Sequence, residues 1–228
     1  MRRIILLILC LFLACSGGIS ASAAENEKYV ALTFDDGPSG KFTRRLLKGL
    51  YDRDAKATFL LCGYRLKQYP DLADQLLEEG HEIGIHGYSH GNMRTMTRTQ
   101  IAKEIMDTQA LLPANAKAVF FRAPGGCCSD GVVQVARARG LAVLGWSVDP
   151  RDWATSDVLA IDAAVVEQVK DGDIVLLHDM TDSSVDAALA IVDHLQAQGF
   201  TFVTVSELAW LRQEKIRPGV IYDSFPAQ

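Results

Sequence analysis

Short apolar runs alternate with amphipathic stretches along the chain once its first two dozen residues are passed. The apolar runs predict β-strands over Tyr29–Phe34, Ala57–Leu61, Glu82–Ile85, Ala118–Arg122, Leu141–Ser147, Asp173–His178 and Phe200–Val205. The amphipathic stretches predict helices over Phe42–Arg53, Asp71–Glu79, Gln100–Leu112, Gly131–Arg139, Asp157–Lys170, Ser184–Gln198 and Ser206–Arg212. Seven strands that are each followed by a helix indicate an α/β protein with a parallel sheet and right-handed crossovers.

Polar side chains stand at the carboxyl ends of five of these strands. They are Asp35 and Asp36, His86 and His90, Arg122, Asp149 and Asp152, and His178. An open sheet needs only two or three neighbouring strand ends to build a site, whereas a barrel brings all its strand ends to one mouth. The spread of polar residues over the whole chain therefore favours a closed barrel.

The first residues have the features of an export signal. Arg2 and Arg3 precede an apolar stretch of eleven residues, which is shorter than the roughly 20 residues that span a bilayer. Small residues follow, and Ala21-Ser22-Ala23 fits a cleavage site. We therefore predict a secretory signal peptide over residues 1–23 and no transmembrane span in the mature chain.

The leader allows a second interpretation, because the residues before Cys15 resemble a lipoprotein cleavage site. The predicted location is accordingly periplasmic, cell-envelope or extracellular, with lipid anchoring through Cys15 as the alternative to simple cleavage. After the leader, residues 28–212 are expected to form a single catalytic domain, and residues 213–228 a C-terminal tail.

Composition narrows the possible partners. The 228 residues suffice for one large α/β domain, and the net charge of −5 becomes more negative when the leader is removed. An acidic chain without a basic run is a poor binder of nucleic acid.

Three cysteines remain after the leader, so at least one of Cys62, Cys127 and Cys128 is unpaired within the monomer. The oligomeric state does not follow from the sequence.

Two adjacent carboxylates and two imidazoles four residues apart form the main chemical pattern. Asp35 and Asp36 end a buried strand and precede Gly37-Pro38, while His86 and His90 lie in a glycine-containing loop. One carboxylate and two imidazoles suit zinc or a similar first-row ion with positions left open for water. The second carboxylate is then free to take a proton from metal-bound water. A solvated Asp-Gly turn and a structural histidine pair are the alternatives for each half alone.

Two further strand ends carry groups that suit the same chemistry. His178 can titrate near neutrality and donate a proton to a leaving group, with Asp152 as its natural partner. Arg122 can pair with Asp35, and the following Gly125-Gly126 exposes backbone N–H groups that can stabilise an oxyanion. A loop-stabilising histidine and a plain glycine turn are the alternatives.

The chain resembles the polysaccharide deacetylases, also called carbohydrate esterase family 4, from about residue 28 to 210. Five motifs carry the resemblance in chain order: Thr33–Gly37, His86–His90, Arg122–Gly125, Asp149–Trp153 and Leu176–His178.

The resemblance implies a distorted (β/α)7 barrel that removes acetyl groups with a divalent metal, Zn²⁺ or, as an alternative, Co²⁺. It implies that Asp36, His86 and His90 hold the metal. It implies that Asp35 is the general base and His178 the general acid.

The remaining motif positions receive supporting roles from the same resemblance. Arg122 would orient the base, Asp152 would tune the acid, and the N–H of Gly125 would complete the oxyanion hole. Trp153 and Leu176 would shape the acetyl pocket.

The chain departs from the family pattern at two positions. Gly87 stands where Ser or Thr commonly follows the first histidine, and Gly125 stands where an aromatic residue is common. The first departure removes a hydroxyl that steadies the loop, and the second removes a side chain that stacks on sugar.

The predicted function is therefore that of a secreted, metal-dependent hydrolase of N-acetylated glycans, either peptidoglycan or a chitin-like polymer. Two alternatives remain from sequence alone. One is an O-acetyl esterase on xylan-like polysaccharide, and the other is a catalytically silent sugar-binding relative. The second alternative is disfavoured because the full Asp35, Asp36, His86, His90 and His178 set is present.

Overall fold

The computed structural model describes residues 27–227, so the predicted leader and Cys15 lie outside the described residues. The strands are β1 Lys28–Asp35, β2 Ala57–Leu61, β3 Glu82–Ile85, β4 Phe120–Phe121, β5 Ala142–Leu144, β6 Ile174–His178, β7 Phe200–Phe202 and β8 Ile221–Tyr222. The helices are α1 Gly40–Tyr51, α2 Gly63–Gln68, α3 Pro70–Glu78, α4 Arg98–Gln109, α5 Asp130–Ala138, α6 Val158–Val166, α7 Asp182–Ala197 and α8 Val205–Leu211. Short 3₁₀ turns lie at Met93–Thr95 and Pro124–Gly126. None of the helices within residues 27–227 combines the length and hydrophobicity needed to cross a bilayer.

The strands form one curled, parallel sheet. Their order is β6-β1-β2-β3-β4-β5-β8, and β7 pairs with the first residues of β1. A bridge between Val148, which follows β5, and Val175 in β6 brings the two ends of the sheet together. This arrangement is a distorted α/β barrel, and the predicted fold class is confirmed.

Strand β1 lies at the centre of the sheet and sets the positions of the polar strand ends. Its residues from Val30 to Asp35 are buried, as expected for a parallel strand covered on both faces. Asp35 is in register with His178 at the end of β6. Two strands away, Ile85 in β3 is in register with Phe121 in β4, so the residues that follow them are also neighbours. The polar residues therefore meet because their strands end at the same level.

Three strands, β4, β5 and β7, are shorter than the apolar runs predict. Strand β4 begins at Phe120 rather than Ala118, and Pro124, which has no N–H to continue a ladder, lies shortly after its end. Strand β7 ends before Thr204, whose side chain caps α8 in a reciprocal capping box with Glu207. Strand β5 ends at Leu144, before Gly145. The sequence also failed to predict the six-residue helix α2.

The segment expected to be a C-terminal tail takes part in the sheet. Strand β8 pairs in parallel with β5, and Ser224 forms an antiparallel bridge with Asp173. Phe225 is buried among residues of β6 and α8, with only 2% of its surface exposed. The tail therefore fills the gap between β5 and β6.

The three cysteines in the described part of the chain are free thiols. Cys62 and Cys127 are buried, and Cys128 is exposed. Burial, together with the nearby Asp36 and Asp35 carboxylates, raises the pKa of the Cys62 thiol. Disulfide bonds between Cys62 and the Cys127-Cys128 pair are therefore not part of this fold.

The packing of Phe225 generates a stability prediction. We expect Phe225→Ala to lower the free energy of unfolding by about 3–5 kcal/mol, because it removes a buried aromatic ring. Ile221→Ala is the matched control in the same segment, since Ile221 is 42% exposed and its truncation should cost far less. Urea denaturation of both variants measures the difference. Equal losses for the two variants would show that the segment adds no core packing.

Candidate active site

The end of β1 carries two neighbouring carboxylates, those of Asp35 and Asp36, at the mouth of the barrel. Asp35 is buried, and Asp36 has a φ of 72°, in the left-handed region that residues other than glycine rarely adopt. In a continued strand the two side chains would point to opposite faces. The backbone turn at Asp36 itself brings its carboxylate to the mouth of the barrel beside that of Asp35.

Asp35 is held by a buried arginine. The Arg122 side chain is 0% exposed, and its Nη1 donates to Asp35 Oδ1 at 2.8 Å and to Thr33 Oγ1 at 2.8 Å. Its other nitrogens donate to the carbonyl oxygens of Leu144 and Gly145. A buried guanidinium with this set of partners has one orientation, so it fixes Asp35 Oδ1 and leaves Oδ2 facing the mouth.

Asp36 lies against both imidazoles of the glycine-containing loop. Its Oδ1 is 3.3 Å from His86 Nε2 and 3.1 Å from His90 Nε2. These three groups offer ligand atoms within 4.8 Å of one another. Oδ1 is buried and lacks a hydrogen-bond donor among the described residues. A buried carboxylate oxygen of this kind calls for a cation.

The orientation of His86 fits a metal ligand. Its Nδ1 lies 2.8 Å from the backbone carbonyl oxygen of Arg122. A carbonyl can only accept, so Nδ1 carries a proton, and in the neutral ring Nε2 is the nitrogen available to a metal. Two imidazole nitrogens and one carboxylate oxygen are a donor set that suits Zn²⁺ or Co²⁺.

The charges of this cluster perturb one another. Burial by itself would raise the pKa of Asp36, but the His86 and His90 imidazoles bring that pKa well below its usual range. Conversely, the Asp36 carboxylate raises the pKa of His90. Asp36 is therefore an anion at any physiological pH.

A second charged pair lies at the end of β6, the strand next to β1. His178 Nδ1 is 2.8 Å from Asp152 Oδ1, and the His178 backbone N–H donates to Asp152 Oδ2 at 2.9 Å. Burial by itself would lower the pKa of the His178 ring. The hydrogen bond and the negative charge of Asp152 outweigh this effect, the charges of Asp35 and Asp36 add to it, and the pKa of His178 is raised to about 9. The imidazole is therefore protonated at neutral pH, and its Nε2 is free to donate a proton.

A cavity of about 450 Å³ lies between the two pairs. Eight of the ten predicted site residues line it: Asp35, Asp36, His86, His90, Gly125, Trp153, Leu176 and His178. The other two, Arg122 and Asp152, are buried beneath it and contact Asp35 and His178. Trp153 is 60% exposed at the rim, whereas Leu176 is buried at the wall. The structure thus brings together every residue that the sequence singles out.

Three cavity residues are absent from the predicted site. Trp146 and Asp149 follow β5, and Gly126 lies in the turn after β4. A side chain on Gly126 would come within 2.6 Å of the Trp146 ring, so the ring packs directly over this backbone. An aromatic ring therefore lies against Gly126, whereas no atom lies within 4 Å of the position that a Cβ of Gly125 would take. The sequence already indicates Asp149 as a polar strand-end residue and Gly126 as part of the glycine turn, whereas Trp146 falls inside the predicted strand Leu141–Ser147.

A buried carboxyl group adjoins the acid pair. Asp179 is completely buried, accepts a hydrogen bond from the Thr43 hydroxyl, and lies against Gly37, where a Cβ would approach its Oδ1 to 2.8 Å. Burial is the main cause that raises the pKa of Asp179 to about 6. The glycine after Asp36 is required because this carboxyl group occupies the adjacent space.

A parallel barrel that gathers carboxylates, imidazoles and a guanidinium at the carboxyl ends of its strands has the architecture of a barrel enzyme. The family described as polysaccharide deacetylase matches residues 22–144. A peptidoglycan-N-acetylglucosamine deacetylase of Bacillus cereus is 41% identical over 199 residues, covering 85% of this chain and 93% of the relative.

A second relative and a solved structure agree with this match. The peptidoglycan-N-acetylmuramic acid deacetylase PdaC of Bacillus subtilis is 34% identical over 192 residues, covering 83% of this chain, which spans 40% of that relative's length. A family 4 acetyl xylan esterase from Clostridium thermocellum, solved with a cobalt ion, is 35% identical with a TM-score of 0.81. That comparison covers 87% of this chain and all of the other. The chain belongs to the polysaccharide deacetylase family and is an enzyme of that family of hydrolases, as its motifs indicated.

The pairing of His178 with Asp152 predicts a specific titration. We expect the His178 ring to titrate near pH 9 in the wild type and at a lower pH in Asp152→Asn, because the amide no longer favours the imidazolium. NMR titration of the ring resonances measures both values. Asp162→Asn is the matched control and should leave the His178 titration unchanged, since the buried Asp162 pairs with the exposed His194 at the same 2.8 Å distance outside the cavity.

The same pairing has a consequence for stability. Because the pKa of His178 is raised in the folded state, its pairing with Asp152 adds to the free energy of unfolding. This contribution is fully present below the ordinary histidine pKa of about 6.5 and is lost as pH rises through about 9. The difference in the free energy of unfolding between wild type and Asp152→Asn should therefore become smaller as pH rises from about 6.5 to about 9. A His178 ring that titrates near pH 9 in both proteins would contradict the assignment.

Proposed function

We propose that this protein is an exported, metal-dependent deacetylase that hydrolyses the N-acetyl groups of peptidoglycan. The observation that carries this proposal is the presence of two separate proton-handling groups, on the ends of neighbouring strands, in one cavity. Asp35 is an oriented carboxylate next to the Asp36-His86-His90 cluster, and His178 is a protonated imidazole facing it. Hydrolysis of an amide needs both a base for the attacking water and an acid for the departing amine.

Asp35 is the proposed base. Its Oδ1 is occupied by Arg122, while its Oδ2 lies 3.7 Å from His86 Nε2 and so faces the place where the proposed metal ligands converge. The Arg122 contact holds the carboxylate in one orientation, which positions Oδ2 to take a proton from an attacking water. Arg122 is thus proposed to position the base.

Asp36, His86 and His90 are the proposed ligands of a divalent cation, Zn²⁺ or Co²⁺. A cation held there supplies Lewis acidity that polarises the acetyl carbonyl and lowers the pKa of water toward about 7. The relative of known structure that contains cobalt supports this choice of ion. The orphaned Asp36 Oδ1 and the tautomer of His86 support it from this chain's own geometry.

His178 is the proposed acid. An amine is a poor leaving group unless it is protonated as the carbon–nitrogen bond breaks. With a pKa of about 9, the His178 imidazole carries its proton throughout the neutral range. Asp152 accepts the hydrogen bond from Nδ1, so Nε2 presents that proton to the cavity.

The other lining residues are proposed to hold the acetylated sugar. The N–H of Gly125 would donate to the oxyanion that forms on the acetyl carbon. Leu176 offers an apolar wall for the methyl group, and Trp153 offers an exposed aromatic face at the rim for the sugar ring. Trp146, packed over Gly126, adds a second aromatic surface.

Peptidoglycan is the proposed substrate because the Bacillus cereus relative, which this chain covers almost completely, is named for deacetylating it. Such a substrate lies outside the cytoplasmic membrane, which agrees with the export signal predicted over residues 1–23. Removal of the leader and lipidation at Cys15 remain the two proposed routes to that location.

The second candidate function is an O-acetyl esterase on xylan-like polysaccharide. The similarity to the Clostridium thermocellum acetyl xylan esterase favours it. An alcohol leaves more readily than an amine, so this activity would depend less on a strongly basic His178.

Acetate release tests the two functions directly. We expect acetate from N-acetylated peptidoglycan, none after chelation, and recovery on addition of Zn²⁺ or Co²⁺. Chitin oligosaccharides and acetylated xylan are assayed in parallel as the competing substrates. Release from acetylated xylan with none from either N-acetylated polymer would replace the deacetylase with the esterase. Full activity in the presence of chelator would refute the metal requirement.

The two adjacent aspartates are expected to respond differently to the same substitution. Asp36→Asn should lose bound metal, since an amide is a poorer ligand than a carboxylate. Asp35→Asn should keep the metal but lose about 10²–10⁴-fold in turnover, because the base is gone. Zinc content and acetate release are measured for both.

Asp162→Asn provides the matched control for these variants. Asp162 does not line the cavity, and the asparagine oxygen can still accept a hydrogen bond from His194 Nδ1, which lies 2.8 Å from Asp162 Oδ2. It should keep both metal and activity. Loss of metal in Asp35→Asn with retention in Asp36→Asn would reverse the proposed roles.

A further inference from the structure

The loop between the two proposed imidazole ligands has an unusual backbone. Gly87 has a φ of 84° and His90 a φ of 56°. The left-handed conformation costs a residue with a side chain roughly 1–2 kcal/mol. Such a conformation persists only where the surroundings impose it. Contacts with neighbouring elements must therefore fix the backbone of residues 87–89 between the two proposed ligands.

One side of this loop is held by the start of α2. The Gly63 N–H donates to the Gly87 carbonyl at 3.0 Å, and the Tyr64 N–H donates to the Tyr88 carbonyl at 3.0 Å. These bonds satisfy the carbonyl groups of the loop. They leave its N–H groups to be satisfied from the other side.

The other side is held by one carboxylate of α4. Glu104 Oε2 accepts from the Tyr88 N–H at 2.8 Å and from the Ser89 N–H at 2.7 Å. Glu104 Oε1 accepts from the Ser89 hydroxyl at 2.9 Å. Three hydrogen bonds to an ionised acceptor are stronger than neutral ones, and they converge on the midpoint between His86 and His90.

Gly87 has no side chain that could help to fix the conformation of the loop. A Cβ at position 87 would lie 3.3 Å from Glu104 Oε2, so the carboxylate occupies the space that a side chain there would face. The hydroxyl group that Ser or Thr commonly provides at this position of the family pattern is therefore absent. The hydrogen-bonded pair of Ser89 and Glu104 lies beside the loop instead.

We propose that Glu104 is a positioning residue that sets the spacing of His86 and His90 and thereby the affinity of the site for its metal. This inference rests on the proposed metal site. Glu104 bonds the loop's amides and hydroxyl rather than the imidazoles, so it acts through the backbone. Outer-shell groups that orient metal ligands directly contribute about 10–100-fold to metal affinity, and we expect an effect of this order from Glu104 through the backbone.

Glu104→Met tests the inference, because methionine keeps the length and helix propensity of the side chain but accepts none of the three hydrogen bonds. We expect its zinc dissociation constant, measured by competition with a chelator, to rise by about 10–100-fold. The visible absorption of bound Co²⁺ should change as well, since the ligand geometry is altered. Glu104→Gln should recover most of the affinity, because its amide oxygen can accept both N–H groups and its NH₂ can donate to the Ser89 hydroxyl.

Glu207→Met is the matched control. Glu207 also lies in a helix and accepts a backbone N–H, that of Thr204 at 2.8 Å, at the opposite end of the barrel. It should lower thermal stability without changing zinc affinity or the Co²⁺ spectrum. Glu104→Asp, which is too short to reach all three donors, replaces Glu104→Met with the same expectation if the latter does not fold.

The outcomes separate this inference from the function on which it rests. If the wild type binds zinc and Glu104→Met binds it equally well with an unchanged Co²⁺ spectrum, the positioning role is refuted and the metal site stands. If the wild type binds no zinc, the proposed metal site is refuted and the positioning role with it.

Discussion

The buried guanidinium of Arg122 is the constraint on which the site depends. Its side chain joins the end of β4 to Thr33 and Asp35 in β1 and to two carbonyl groups at the end of β5. Its backbone carbonyl accepts from His86 Nδ1. One residue thus orients the proposed base and, through its main chain, the tautomer of a proposed metal ligand. A fully buried cation is tolerated only with such complete pairing, so its partners are fixed as firmly as it is.

The geometry of the mouth also depends on backbone conformations that residues with side chains normally avoid. Asp36 and His90, two of the three groups in the metal-type cluster, both have positive φ. Regular strand geometry would carry Asp36 away from the imidazoles. The fold offsets the unfavourable conformations with hydrogen bonds from α2 and α4, and with the close packing of Asp179 against Gly37.

Much of the fold and the site could be predicted because both leave local signals. Buried parallel strands are continuous apolar runs, and a polar residue at the end of such a run stands out, as Asp35 and His178 do. What could not be predicted depends on contacts between distant segments. Glu104 is one polar residue among many on an amphipathic helix, and its partners are backbone amides, which have no sequence signature.

The shortening of β7 and the pairing of β8 are equally non-local. Thr204 extends an apolar run by composition but serves as a helix cap, because the helix that follows packs back on the barrel. Ile221 and Tyr222 form too short a run to identify as a strand until β5 offers them a partner. Trp146 lay inside the predicted strand, which is longer than the observed β5, so its place at the cavity could not be predicted.

The free thiols of Cys62, Cys127 and Cys128 bear on how the molecule acquires its shape. Covalent cross-links between these three residues contribute nothing, so the barrel over residues 27–227 is held by packing, hydrogen bonds and buried ion pairs. The barrel over residues 27–227 therefore needs no oxidoreductase to pair these cysteines. A reductant should leave it intact, since no disulfide among the three residues supports the site.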